Sequence, residues 1–183
     1  DYHIFNTIDS MNPDMMLWLG DNIYLREVDY ASESGFAHRY THTRSTKELQ
    51  PLLARRPNYA IWDDHDFGPN DANGSFALKK TALDYFKMFW TNPSYGLPDF
   101  PGSFGAFTFH DLEFFMLDNR TYRTPQWKRQ EMRFILGRDQ TEWLIAALKS
   151  SKAAYKMVCV GGQVLNTARK YENHAQYPSE REY

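Results

Sequence analysis

Apolar residues fall in short runs that stop abruptly at acidic ones. Met15 to Leu19 runs into Gly20-Asp21-Asn22-Ile23-Tyr24, and Tyr59 to Trp62 runs into Asp63-Asp64-His65-Asp66. Short apolar runs bounded by turn formers predict buried strands. Two more strands, Phe104 to His110 and Glu113 to Leu117, are predicted around a tight turn at His110-Asp111. A fifth, Tyr155 to Val160, reads as buried and ends in Gly161-Gly162. It holds the lone Cys159, which reads as a small core hydrophobe and not as a nucleophile.

Between the strands the spacing changes to that of helices. Ile4, Phe5 and Ile8 share one helical face, closed by Asn12-Pro13. Residues 32–56 are polar with helical spacing and end before Pro57. The segment from Phe67 to Gly74 is rich in Gly, Pro, Asn and Asp and must be a loop. Ser75 is placed to cap the next helix, whose stripe is Leu78, Ala82, Tyr85, Phe86 and Phe89. Residues 91–105, with their prolines and glycines, read as an irregular surface excursion. Asp139 and Glu142 predict a capping box for a helix with Trp143, Leu144, Ala147 and Leu148 inward. The last residues, Ser179 to Tyr183, resemble the start of a helix. Short strands mixed with long helices give an α/β class, with helices over mixed sheets.

The chain has 183 residues, 42% hydrophobic and 16% aromatic, enough for one packed domain. With 21 basic and 23 acidic side chains its net charge is −2. That balance supplies no basic field for nucleic acid and no polybasic membrane anchor. No apolar run is long enough to cross a bilayer, and no signal peptide stands at Asp1.

In open α/β sheets ligands sit beyond the carboxyl ends of the strands. Four strand ends carry polar or flexible groups here: Asp21, Asp63-Asp64-His65, Asp118 and Gly161-Gly162. Gathering carboxylates without opposing charge is costly, and hard cations in their midst reverse that cost. Asp21 can bridge two cations, Tyr24 can supply a phenolate, and Asp64, His65 and Asn70 lie on the second strand end and its loop. Each group also has a bland reading. Gly20-Asp21 can be an ordinary turn, Asp63 can cap one, His65 can be a core histidine, and Asp71 and Asn73 can shape the loop.

The motifs Gly20-Asp21-Asn22-Ile23-Tyr24 and Trp62-Asp63-Asp64-His65-Asp66, with Asn70 after them, resemble the PhoD-like phosphatase family of the calcineurin-like metallophosphoesterase superfamily. So do Leu117-Asp118-Asn119-Arg120-Thr121-Tyr122-Arg123, Leu136-Gly137, Gln140 with Trp143-Leu144, and the ending from Tyr171-Glu172-Asn173 to Arg181. The resemblance implies a phosphomonoesterase or phosphodiesterase built as an incomplete β-sandwich of mixed sheets flanked by helices. It implies a dinuclear site of iron(III) and calcium: Asp21 bridging, Tyr24 on iron, Asn70 on the second ion with Asp64 near it. His65 would contact phosphate or protonate the leaving oxygen. Arg120 or Arg123 would neutralise phosphate, against the plainer fate of a surface salt bridge. A small phosphate ester as substrate and a periplasmic or extracellular location follow from the same resemblance.

The family's first metal-ligand motif and its last, Gly-Asp-x-His, are both absent from residues 1–183. His3, His38, His42, His110 and His174 stand in no matching context. The expectation is therefore one partial metallophosphoesterase domain over 1–183, a fragment inactive by itself. The competing reading is a non-catalytic calcium-binding module using the acidic loop 63–73, although that loop lacks EF-hand spacing. A serine hydrolase elbow and a phosphate-cradling Gly-Lys loop are both absent.

Overall fold

The computed structural model describes residues 2–168 and 172–183. Tyr171 of the quoted motif lies outside them. Helix α1 (His3–Ser10) leads to strand β1 (Met16–Leu19). Helices α2 (Glu33–Arg44) and α3 (Gln50–Arg55) precede strand β2 (Asn58–Ile61). One helical turn, α4 (Asp64–Phe67), follows β2, and then α5 (Lys79–Phe89). A two-residue hairpin, β3 (Gly96–Leu97) with β4 (Phe100–Pro101), comes before β5 (Gly105–Phe109) and β6 (Leu112–Met116). Helix α6 (Arg138–Ser150), strand β7 (Tyr155–Cys159) and helix α7 (Pro178–Glu182) complete the order.

The strands form small sheets. β1 and β2 pair in parallel, with Leu19 opposite Ile61. β6 pairs antiparallel with β5 and parallel with β7. Parallel pairing puts the carboxyl ends of β1 and β2 side by side, and likewise those of β6 and β7. The β1–β2 sheet has two apolar faces. Trp18 and Ala60 meet Phe36, Tyr40, Phe86 and Trp90 of the helical layer. Leu17, Tyr59 and Ile61 meet Phe107, Phe114 and Met116 of the other sheet. The Tyr59 and Phe107 rings stack at 3.9 Å. A third cluster sets Leu117, Ile135 and Tyr177 against Trp143 and Leu144 of α6.

Several expectations change. The polar stretch 32–56 is two helices, because the chain turns at Ser45 to Leu49. Ser75 does not cap α5. Its amide and its hydroxyl both donate to Asn73 Oδ1, and α5 begins at Lys79 without a side-chain cap. The Asp139–Glu142 box does not form either. Gly137, at φ 83°, starts α6 early enough that Asp139 falls inside the first turn and Glu142 pairs with Arg138 at 2.7 Å. Glu180 of α7 instead accepts the amides of Ile135, Leu136 and Gly137 at 2.6, 3.1 and 2.8 Å. Strand β7 is not buried: it pairs on one side with β6, and Tyr155, Met157 and Val158 are exposed. Cys159 is buried as read. Ile4 is exposed, and Phe5 holds α1 against Trp18. The 91–105 excursion turns inward at Ser103 and Phe104.

His174 is buried beside this frame, with no partner on Nε2. Burial, helped by Arg123 and Arg181, lowers its pKa to about 4. The folded pKa lies below the unfolded one, so its contribution is full above about pH 6.5 and is lost as pH falls toward 4. Between about pH 7 and about pH 5 this should remove about 2 kcal/mol of stability. Urea unfolding of His174→Gln at both pH values should show that component missing; an unchanged pH difference would refute it.

Candidate metal centre

The four polar strand ends converge. Gly20 adopts φ 109°, and a Cβ on it would lie 2.8 Å from the Asp63 Cβ, so the turns after β1 and β2 touch. Any residue larger than glycine would push them apart. Asn119, from the turn after β6, donates to Asp63 Oδ1 at 2.9 Å. A Cβ on Gly161, beyond β7, would sit 3.2 Å from Asp63 Oδ2.

Asp21 itself has φ 51°, a left-handed geometry that Asp tolerates. That twist turns its carboxylate toward the second strand end. Tyr24 Oη donates to Asp21 Oδ2 at 3.0 Å, and the Tyr24 ring lies 4.5 Å from the His65 imidazole. His65 Nδ1 is 3.1 Å from Asp64 Oδ1 and 3.5 Å from Asp21 Oδ1. Asp21, Asp64 and His65 present ligand atoms all within 4.8 Å of one another. Four of the sequence-derived candidates, Asp21, Tyr24, Asp64 and His65, thus meet in one place. Asn70 is exposed, next to Asp71.

The electrostatics favour a cation. Asp21 Oδ1 is buried without a hydrogen-bond partner. Burial, reinforced by Asp64 and Asp63, pushes the Asp21 carboxyl above its usual range, although Tyr24 and His65 pull the other way. Burial and Asp21 likewise raise the Tyr24 phenol. A bound cation would reverse both shifts. Burial pushes Asp64 up too, but the Asp71 amide at 2.7 Å, Arg120 and His65 outweigh it and hold Asp64 below the usual range. The donor set of carboxylate oxygens, imidazole and a nearby phenol therefore fits a hard metal ion. A cavity of about 500 Å³ opens beside Asp21 and Tyr24, walled also by Trp18, Arg26, Arg39 and His42.

Arg120 is not a surface ion pair, and its guanidinium is taken up by protein groups. It is 2% exposed. Its Nε donates to Asp63 Oδ1 at 2.6 Å, Nη1 to the Ala72 carbonyl at 3.1 Å and Nη2 to Glu172 Oε2 at 2.7 Å. Arg123 is equally buried, with Nη2 2.8 Å from Glu172 Oε1 and Nε donating to Tyr177 Oη. The long Arg side chains reach inward because the loop after β6 is wound around Asp118. That carboxylate accepts from Trp62 Nε1, from the amides of Ser103, Arg120 and Thr121, and from the Thr121 hydroxyl. Asp118 is therefore a hub of the loop and does not face the cluster of Asp21.

Two groups, Glu172 and Asp66, escaped the sequence reading. Glu172 forms a second set of close carboxylates with Asp64 and Asp71. It lies far from them in sequence and only the fold brings it there. Asp63, read from the sequence as a turn cap, caps α4 in a reciprocal box with Asp66, a partner that the Asp-x-x-Asp spacing signals. Asp66 is fully buried, and burial pushes its pKa to about 8 against the pull of three backbone amides.

Comparison with known proteins gives a family model, a curated relative and a solved structure. Residues 103–181 match the family model described as PhoD-like phosphatase. A curated relative, alkaline phosphatase D of Bacillus subtilis (strain 168), is 25% identical over 187 residues, covering 79% of this chain and 32% of the relative. A solved structure titled "Structure of PhoD" superposes with a TM-score of 0.79 at 22% identity, covering 99% of this chain and 44% of that one. The chain thus spans about a third of the curated relative and under half of the solved chain. The resemblance of this chain to the PhoD-like phosphatases therefore holds in a family model, in a curated relative and in fold.

Proposed function

We propose that the chain is part of a metal-dependent phosphoric ester hydrolase acting on small phosphate esters, as a phosphomonoesterase or phosphodiesterase. The observation that carries this reading is the buried, unpartnered Asp21 oxygen within reach of Asp64 and His65 at converging strand ends. Asp21 and Tyr24 would hold iron(III), and Asp21 with Asp64 and Asn70 a second ion such as calcium. Bound metal ions activate water and neutralise phosphate charge. His65, a quarter exposed and held by Asp64, is placed to give a proton to the leaving oxygen. Arg120 supports the site through Asp63 more directly than it could meet substrate. Two sheets sharing the Tyr59–Phe107 cluster, with helices outside, support the sandwich architecture. Location in the periplasm or outside the cell belongs to the same reading; among the described residues no helix is long and apolar enough to cross a membrane.

The absence of Gly-Asp-x-His from the sequence leads us to expect that residues 1–183 alone turn over p-nitrophenyl phosphate poorly, since both ions are needed to position nucleophile and leaving group. The calcium-module reading rests on Asp64, Asp71 and Glu172, whose oxygens also approach within 4.8 Å. Titration with iron(III) and with calcium separates the two. Iron(III) should give a visible phenolate charge-transfer band that Tyr24→Phe abolishes. A colourless protein that binds calcium alone would favour the module.

A further inference from the structure

We infer that Asp66 is the positioning residue that sets the distance between the two halves of the metal centre. This rests on the metal-hydrolase reading above. Asp21 and Tyr24 stand on the turn after β1, and Asp64 and His65 on the turn after β2. The two turns are more than forty residues apart in sequence, and one carboxylate joins them. Asp66 Oδ1 accepts the amides of Asn22 at 3.0 Å and Ile23 at 3.1 Å, while Oδ2 accepts the amide of Asp63 at 3.0 Å. The group is 0% exposed, so no water competes for these bonds. Its three donors flank the candidate ligands: Asn22 and Ile23 lie between Asp21 and Tyr24, and Asp63 precedes Asp64.

Other bonds between the turns are less central. Asn22 Nδ2 reaches the Ile61 carbonyl, and the Leu25 amide reaches the His65 carbonyl at 3.1 Å. Neither ties the backbone between Asp21 and Tyr24 to the residue before Asp64. A buried carboxylate that gathers amides from two segments fixes their spacing to within a hydrogen bond's tolerance. The Tyr24–His65 ring separation of 4.5 Å is the visible result of that spacing.

Asp66→Asn keeps the shape but turns an NH2 toward one of the amides that now donate, so one side of the bridge must open. Asp66→Glu keeps the carboxyl group and displaces it by one methylene. Glu180→Gln is the control, because Glu180 gathers three amides in the same way, all from residues 135–137 and none from the turns after β1 and β2. The probe is terbium(III), a hard trivalent ion, titrated into the 183-residue chain and read by its aromatic-sensitised luminescence. The Tyr24–His65 contact is read separately by NMR cross-relaxation without metal.

Both Asp66 variants should bind terbium about 10–100-fold more weakly, the usual loss when a group that orients a ligand is removed. Both should also lose the Tyr24–His65 contact. Glu180→Gln should lose stability while keeping affinity and contact. Unchanged affinity and contact in a folded Asp66 variant would overturn the proposal. So would failure of both Asp66 variants to fold while Glu180→Gln folds, since the carboxylate would then serve folding alone. If the wild-type chain binds no terbium, the metal reading fails, and the Tyr24–His65 contact in the variants decides the positioning role by itself.

Discussion

Asp21→Asn is expected to weaken metal binding by about 100-fold or more, beyond the 10–100-fold lost when a mere orienting group is removed. The same substitution should leave the metal-free protein as stable as before, or more so. The opposite signs come from one cause. Burial and the neighbouring carboxylates Asp64 and Asp63 raise the Asp21 pKa, so without a cation the folded state disfavours the charge that the site needs. Asparagine removes the charge, tolerates the left-handed backbone at φ 51°, and still offers one oxygen to the Tyr24 hydroxyl. It cannot bridge two cations. The check is paired: thermal unfolding in chelator, and calorimetric titration with iron(III). If Asp21 only shapes a turn, both measurements will match wild type, and the metal assignment falls with them.

What the sequence disclosed about this site follows from the range of the forces involved. The pattern of apolar runs ending in acids placed β1 and β2 within a residue or two, because strand burial and turn chemistry are local. Asp21, Tyr24, Asp64 and His65 were legible for the same reason: each follows its strand by a fixed few residues, and parallel pairing of β1 with β2 does the rest. The failures were of two kinds. Caps went wrong where a nearby group offered a better bond. Ser75 gave its hydroxyl to Asn73, and the amides at Gly137 were taken by Glu180, a residue more than forty positions away. Long-range electrostatics were invisible. Nothing in Leu117 to Arg123 says that two arginines fold inward, because their acceptors Asp63 and Glu172 come from other loops. The pattern also could not say that β7 lies at an edge of its sheet among the described residues, since apolar residues in a strand look the same at an edge as at the centre.

Those inward arginines carry the second large effect. Arg120→Met should cost about 3–5 kcal/mol near neutral pH, the usual loss when one partner of a buried ion pair is removed. At this chain length that is a drop of about 10 °C in melting temperature. Arg120 lies between Asp63, at 2.5 Å from Nη2, and Glu172, at 2.7 Å, with Asp64 at 3.7 Å. Methionine fills similar volume but leaves three carboxylates facing one another. Burial already raises the Glu172 carboxyl even with Arg120 in place; Arg120 and Arg123 are what hold it down. Without Arg120 the Glu172 carboxyl should rise further above its ordinary range. A group raised in this way stabilises the fold below its unfolded pKa and loses that contribution as pH climbs through the folded one. The deficit of Arg120→Met should therefore be largest near neutral pH and shrink as pH falls toward about 4. Melting curves for wild type and variant across that range provide the test. A loss under about 1 kcal/mol, independent of pH, would mean that Arg120 behaves like an exposed ion pair. It would then be free to meet phosphate, the role that the sequence alone suggested for it.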